Sequence, residues 1–260
     1  MLKRIIKLLI SLLYLIFLSI KRFILRLFNI PYYHFVILYY HSVKQGEKEL
    51  FIKQLNYINN FYRVIKADGQ NALEQYTKYA AITFDDGYQN LLSNAIPELI
   101  KRKFHSTIFV QTDYIGLQPG WNAREDWQDG NEYIMTETQI LDLSREFINI
   151  GSHTKSHARL TSLNTEDALN ELTGSKIFLE KLLNRNVDLF SFPYGSFNDK
   201  NVQLAKQAGY KKIFTTEPEI ISQLSNYVFG RVTVNPGDWF IEFKIKLAGG
   251  YSWFKNTQVS

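Results

Sequence analysis

The stretch Ala80-Ala81-Ile82-Thr83-Phe84-Asp85-Asp86-Gly87 runs a β-forming segment straight into two adjacent carboxylates and a glycine. Residues of this type favour an extended chain, and glycine lets the backbone turn after it. Side chains alternate along an extended segment, so Asp85 and Asp86 can serve one site only if the strand ends there. One carboxylate then suits a metal and the other a proton. An Asp-Gly turn after a strand is also ordinary loop chemistry, so the surrounding chain must decide between the two.

Outward from that stretch, short apolar runs alternate with helical patterns. Strands are predicted over 35–40, 62–65, 80–84, 107–111, 148–150, 189–192 and 212–215, with a last extended run over 228–234. Helices are predicted over 50–61, 88–101, 136–147, 165–183 and 199–208. The fourth is best marked, because Ala168, Leu169, Leu172, Leu182 and Leu183 recur at helical spacing. Alternation this regular, with loops too short for separate domains, implies a parallel sheet. Seven or eight strands without a glycine-rich dinucleotide fingerprint favour a closed α/β barrel over an open doubly wound sheet. A long polar loop after 107–111 carries Trp121 and Trp127, which either stack on a sugar or anchor the loop.

An apolar share of 45% with 21% charged residues describes a globular chain, and the absence of cysteine excludes disulfides and thiolate metal sites. A metal must then be held by His, Asp or Glu. The net charge of +5 is unevenly placed. Lys3, Arg4, Lys7, Lys21, Arg22, Arg26 and Lys44 fall within residues 1–46, which contain no acid; the remainder carries 23 basic against 25 acidic residues. Basicity confined to a hydrophobic N-terminus fits an acidic lipid surface and argues against nucleic acid.

Leu8 to Ile20 is aliphatic and aromatic except for Ser11 and Ser19, and with Ile5, Ile6 and Lys7 the run reaches 16 residues. A spanning helix needs about 20, and no small-residue cleavage site follows. From Lys21 to Ile30 the pattern is amphipathic, and Pro31 stops the helix. Two readings stand: a short signal-anchor, and a helix lying in the membrane interface.

The five histidines sort by strand end, since the site of a parallel barrel lies at the C-terminal ends of its strands. His34 and His105 precede strands; His41 and His153 follow them, and His157 lies four residues beyond His153. An i, i+4 pair on a helical turn brings two imidazoles close enough to chelate one ion, and one carboxylate completes a three-ligand set with an open position.

The ordered motifs Thr83-Phe84-Asp85-Asp86-Gly87, His153-Thr154-Lys155-Ser156-His157 and Phe192-Pro193-Tyr194-Gly195 resemble those of the polysaccharide deacetylases, the NodB-homology group or carbohydrate esterase family 4. The resemblance runs from about residue 35 to 235. It implies a distorted (β/α)7-type TIM-like barrel, here preceded by a membrane-associated helix, with residues 1–31 as the membrane segment and 32–260 as the catalytic domain. It further implies metal-dependent removal of N-acetyl groups from an amino-sugar polysaccharide or glycolipid of the bacterial cell envelope. By the same resemblance Asp85 is the general base, and Asp86, His153 and His157 hold a divalent ion, zinc by choice. Pro193 and Tyr194 shape an oxyanion site through the Tyr194 backbone N–H.

Two departures from the family pattern stand out. The usual acid is a histidine near the C-terminus, yet no histidine follows His157. His41 is the remaining histidine at the correct end, as in the branch that includes poly-N-acetylglucosamine deacetylases, and is the expected acid. Ser191 stands where many members have an arginine that orients the base. Arg231 is either its replacement or an exposed strand arginine. The alternatives are an O-acetyl or N-formyl hydrolase with the same site, and a non-catalytic glycan-binding protein on this scaffold.

Overall fold

The computed structural model describes residues 2–69, 73–120 and 132–254; Trp121 and Trp127 lie outside the described residues. The chain opens with α1 (Leu2–Leu27), β1 (His34–Tyr40), α2 (Lys48–Phe61), β2 (Arg63–Val64), β3 (Lys78–Phe84), α3 (Leu91–Asn94) and α4 (Ile96–Lys101). It continues through β4 (Ser106–Val110), α5 (Glu137–Leu141), β5 (Ile148–Ser152), α6 (Thr165–Leu183), β6 (Leu189–Ser191) and α7 (Asp199–Gln207). It ends with β7 (Lys212–Thr215), β8 (Val228–Gly230), β9 (Val232–Thr233) and α8 (Phe240–Leu247).

The strands form a parallel sheet in the order β8-β7-β6-β5-β4-β3-β1-β9, with the two-residue β2 beside the start of β3. The two ends of that path are halves of one extended run interrupted at Arg231. The first half pairs with β7 and the second with β1. The interruption leaves no gap, since the Arg231 N–H still reaches Thr215 O at 3.1 Å and the Val234 N–H reaches Tyr39 O at 3.0 Å. The result is a (β/α)7-type barrel whose seventh stave is shared between its two neighbours.

Alternation along the staves divides the core in two. Phe35, Ile37, Tyr79, Ala81, Phe109, Leu189, Phe214 and Phe229 fill the barrel interior, while Val36, Leu38, Tyr40, Ala80, Ile82 and Phe84 pack outward against helices. The inward column passes from apolar to polar toward the strand C-termini, through Tyr39 on one stave and Thr83 on the next. This is the end at which His41, Asp85 and His153 follow their strands.

Several elements differ from the sequence expectations. The helix expected over 88–101 is two short ones, because Pro97 lies in the first turn of α4 and the chain kinks at Ala95 (φ −115). The helix expected over 136–147 starts on a Thr136–Gln139 capping box but stops at Leu141. It must turn there to enter β5. The strand expected over 62–65 shrinks to β2, and α8 was not anticipated, although Phe240, Phe243 and Leu247 stand at helical spacing and the latter two are buried.

The N-terminal segment is one unbroken helix of 26 residues, about 39 Å long, which ends at Leu27, short of Pro31. Among the described residues it is the one helix long and apolar enough to cross a membrane. It lies on the barrel through a polar seam. Arg4 pairs with Glu242 at 2.7 Å, the Trp253 indole N–H donates to Ser11 Oγ at 2.9 Å, and Arg22 donates to His34 Nδ1 at 2.9 Å and to Ala248 O at 3.2 Å. Ser11 and Leu18 are its only buried residues.

Candidate active site

Strand β3 ends at Phe84, and the next residues break the alternation that would have sent the two carboxylates apart. Asp85 is held by its N–H to Tyr40 O at 2.9 Å. Asp86 takes the left-handed conformation (φ 70), followed by Gly87 (φ 71). Aspartate tolerates that region better than most residues. The Gln111 amide fixes the turn by donating to Asp86 O at 3.0 Å. Both carboxylates are thereby buried at one site.

Asp85 faces Arg231, which is fully buried rather than exposed. The guanidinium forks onto the carboxylate, Nη1 to Oδ1 at 2.7 Å and Nη2 to Oδ2 at 2.8 Å. Its remaining donors go to Thr83 Oγ1 at 3.1 Å, Ser191 Oγ at 2.6 Å and Thr215 O at 3.3 Å. All five N–H groups of the arginine are therefore used. The group also lies over the rings of Tyr39 and Phe109, 4.6 and 5.2 Å from their centroids. Burial alone would raise the Asp85 pKa, but Arg231, with help from His153, more than offsets it and holds the carboxyl below its ordinary value. Ser191 is thus no vacancy: its short side chain admits an arginine that arrives from the closing stave and hydrogen-bonds it.

Asp86, His153 and His157 each turn a donor atom to one point, all within 4.8 Å of one another and all buried. Asp86 Oδ1 lies 3.4 Å from His157 Nε2 and 3.8 Å from His153 Nε2. Two ligands of one tetrahedral zinc, each about 2.0–2.1 Å from it, stand about 3.3 Å apart. His153 Nδ1 lies 2.8 Å from Ser191 O. A carbonyl only accepts, so Nδ1 carries the proton and the bare Nε2 lone pair faces the Asp86 carboxylate. Lone pair against carboxylate is repulsive without a cation between them, so the donor set fits a divalent metal.

The histidine pair does not lie on a helical turn. Residues 153–157 form an irregular loop in which Thr154 (φ 67) and His157 (φ 60) are left-handed, and this backbone, not helical spacing, makes the rings converge with centroids 5.0 Å apart. Glu171 on α6 holds the loop: its carboxylate accepts from the Lys155 and Ser156 N–H groups at 2.9 Å each and from Ser156 Oγ at 2.8 Å.

These groups line a cavity of about 300 Å³ together with His41, Arg159, Tyr194 and Thr216. His41 enters from β1, two residues beyond Tyr39 and on the same side of the stave. Tyr194 and Gly195 are consecutively left-handed (φ 59 and 62), which wraps the Pro193–Gly195 turn around the opening. A Cβ on Gly195 would collide with Thr216. The Tyr194 ring lies between His157 and the Arg159 guanidinium, 4.6 Å from each.

Burial lowers His153 to about 4 against the pull of Asp85, and lowers His157 further still; burial and Arg22 lower His34 to about 3. Folded, these rings are neutral at pH 7, whereas in the unfolded chain each binds a proton near 6.5. Stability from them is therefore complete above about pH 6.5 and falls as pH drops toward 4, by up to about 1.4 kcal/mol per pH unit for each histidine. The urea midpoint of the metal-free protein should decline steadily across that window. A flat midpoint would show that the rings are solvated.

Sequence reasoning missed Thr83, Tyr39 and Glu171. Inward alternation from Ile37 to Tyr39 to His41, and from Ala81 to Thr83 to Asp85, was the available signal for the first two. Nothing local marks Glu171, which acts from a helix 16 residues away from Lys155.

Comparison with known proteins bears on this arrangement. YxkH of Bacillus subtilis is 28% identical over 213 residues, covering 77% of this chain and 71% of that protein. The poly-β-1,6-N-acetyl-D-glucosamine N-deacetylase of Staphylococcus aureus is 27% identical over 179 residues, covering 65% of this chain and 58% of that enzyme. The fold is shared with IcaB from Ammonifex degensii, at a TM-score of 0.71 and 20% identity over 84% of this chain and 97% of that one. A family model described as polysaccharide deacetylase matches residues 73–213, over half the chain, and the protein belongs to the polysaccharide deacetylase family.

Proposed function

We propose that the protein is a metal-dependent hydrolase of N-acetyl groups on an amino-sugar polysaccharide or glycolipid, working at a bacterial membrane surface. The observation that carries this reading is the fully satisfied Arg231–Asp85 fork beside the Asp86–His153–His157 cluster in one cavity. In this reading Asp86, His153 and His157 hold a divalent ion, zinc by the chemistry of the donors. When bound, such an ion polarises an acetyl carbonyl and lowers the pKa of a water.

Asp85 is the general base: it takes the proton of a water whose oxygen adds to the acetyl carbon. Arg231 keeps Asp85 ionised and in one orientation, which a base needs before the reaction starts. The backbone N–H of Tyr194 donates to the developing oxyanion. His41, in its protonated form, gives a proton to the nitrogen as the carbon–nitrogen bond breaks, releasing acetate and the free amine. Residues 1–31 form the membrane segment, and residues 32–260 the catalytic domain.

His41→Ala is expected to lower turnover of an N-acetylated oligosaccharide by about 10²–10⁴-fold without loss of bound metal. Turnover of an activated ester, whose leaving group needs no proton, should fall far less. Equal losses on both substrates would remove His41 from the acid role. Comparing release from matched N-acetyl, N-formyl and O-acetyl sugars tests the bond itself: preference for either of the latter two would replace the proposed reaction.

A further inference from the structure

The seam by which α1 meets the barrel sets Arg4, Ser11 and Arg22 among buried Leu18 and half-buried Leu8, Leu15 and Leu25, and what α1 leaves outside is almost wholly apolar. With Ser11 taken as the centre of the docked face and 100° per residue, the exposed Leu9, Leu13, Ile20, Phe23 and Leu27 fall within an outward arc about 160° wide that holds no charge. Lys3 and Lys21 stand at one border of this arc and Arg26 at the other, all exposed. A soluble surface helix turns a polar face to solvent instead.

We infer that α1 lies flat in the surface of an anionic lipid bilayer, its apolar arc among the acyl chains and its polar seam clamped to the barrel, rather than crossing the membrane. The inference rests on the membrane association proposed above and specifies its geometry. Length alone permits spanning, but the seam does not. Its contacts run from Arg4 to Arg22, roughly 27 Å of helix, against a hydrocarbon core of about 30 Å. A spanning α1 would have to give up Arg4–Glu242, Ser11–Trp253 and Arg22–Ala248 together. The border cations complement lipid phosphates and acidic headgroups, and no acid occurs within residues 1–46 to oppose them.

The seam also sets the attitude of the enzyme. Arg4 meets Glu242 and, at 3.6 Å, Asp238, which follows the C-terminal end of β9; Arg22 meets His34 at the start of β1. The partners of Arg4 and Arg22, Glu242 and Ala248, stand six residues apart on α8 and its C-terminal cap, about 9 Å of helix, so α1 is pinned along the α8 flank of the barrel. Laid on a bilayer, α1 turns the α8 flank of the barrel toward the lipid.

The chain has no cysteine, so single variants Leu9→Cys, Leu13→Cys, Ile20→Cys and Leu27→Cys can carry a fluorophore in the full-length protein. These are mixed with phosphatidylglycerol–phosphatidylcholine vesicles containing quenchers at graded depths. The expected result is one shallow depth at all four positions, with vesicle partitioning falling at least tenfold in the Leu13→Glu/Ile20→Glu variant while activity on a soluble oligosaccharide is kept. A depth that peaks in mid-helix and returns to the headgroups at both ends would overturn the flat geometry while leaving membrane association intact. No lipid-dependent quenching at any position would overturn both. Labels shielded without lipid, with a dimeric mass by light scattering, would assign the face to a second copy of the chain and overturn the inference.

Discussion

Replacing Arg231 with methionine should cost about 3–5 kcal/mol of stability, the range for removing one partner of a buried pair, and lower turnover by about 10²–10⁴-fold. The reason is the company the guanidinium keeps. Asp85 is buried, and two of its hydrogen bonds come from Arg231. Without them the carboxyl loses the charge that holds its pKa down, and burial, which raises it, is left unopposed. The base would then be protonated over more of the working pH range and free to turn. Arg231→Lys should recover little, because an ammonium cannot reproduce a fork that also reaches Thr83 and Ser191. The double variant Asp85→Asn/Arg231→Met should regain part of the stability and none of the activity. Denaturant midpoints and turnover of the four proteins test this together. A single Arg231→Met variant with unchanged midpoint and rate would show that the fork supports neither fold nor base.

Substituting alanine for Asp86 should abolish stoichiometric zinc and reduce turnover by more than about 10³-fold, since it takes away the anionic member of the donor set and leaves two neutral imidazoles. A readout independent of activity comes from linkage. A ligand present at a hundred times its Kd adds about 2.7 kcal/mol to a fold that alone binds it, so chelation should lower the thermal midpoint of the parent protein and leave that of Asp86→Ala unmoved. His157→Ala should behave likewise. Equal responses to chelator in parent and variants would place the metal elsewhere or exclude it from these residues.

Much of this site was legible because its parts are punctuated in the sequence. Asp85-Asp86-Gly87 ends a strand, His153 follows another, and the alternation of elements puts both at one end of a barrel. His41 stood out by its strand end together with the resemblance to the branch whose acid lies near the N-terminus. Less legible was anything that depends on backbone outside the standard periods. The spacing of His153 and His157 predicts a helical pair, whereas left-handed Thr154 and His157 bring the rings together, and no spacing rule predicts that for non-glycine residues. Arg231 was one of two readings until the path of the closing stave was known, since an arginine on a strand carries no local mark of burial. Lys21, Arg22 and Arg26, read as the polar side of an amphipathic stretch, sit on the sides and seam of the one helix.

The shared seventh stave carries a practical lesson about where this enzyme can be cut. The family match stops at residue 213 and starts at residue 73, and a fragment trimmed to those limits would look complete by its three motifs. It would lack β1 with His41, both halves of the closing run and Arg231. The remaining strands would be an open sheet with two raw borders, β3 on one side and β6 with a two-residue stub of β7 on the other, each able to recruit a neighbouring chain. The minimal working unit is therefore set by ring closure rather than by motif content, and it must reach from before His34 to beyond Thr233.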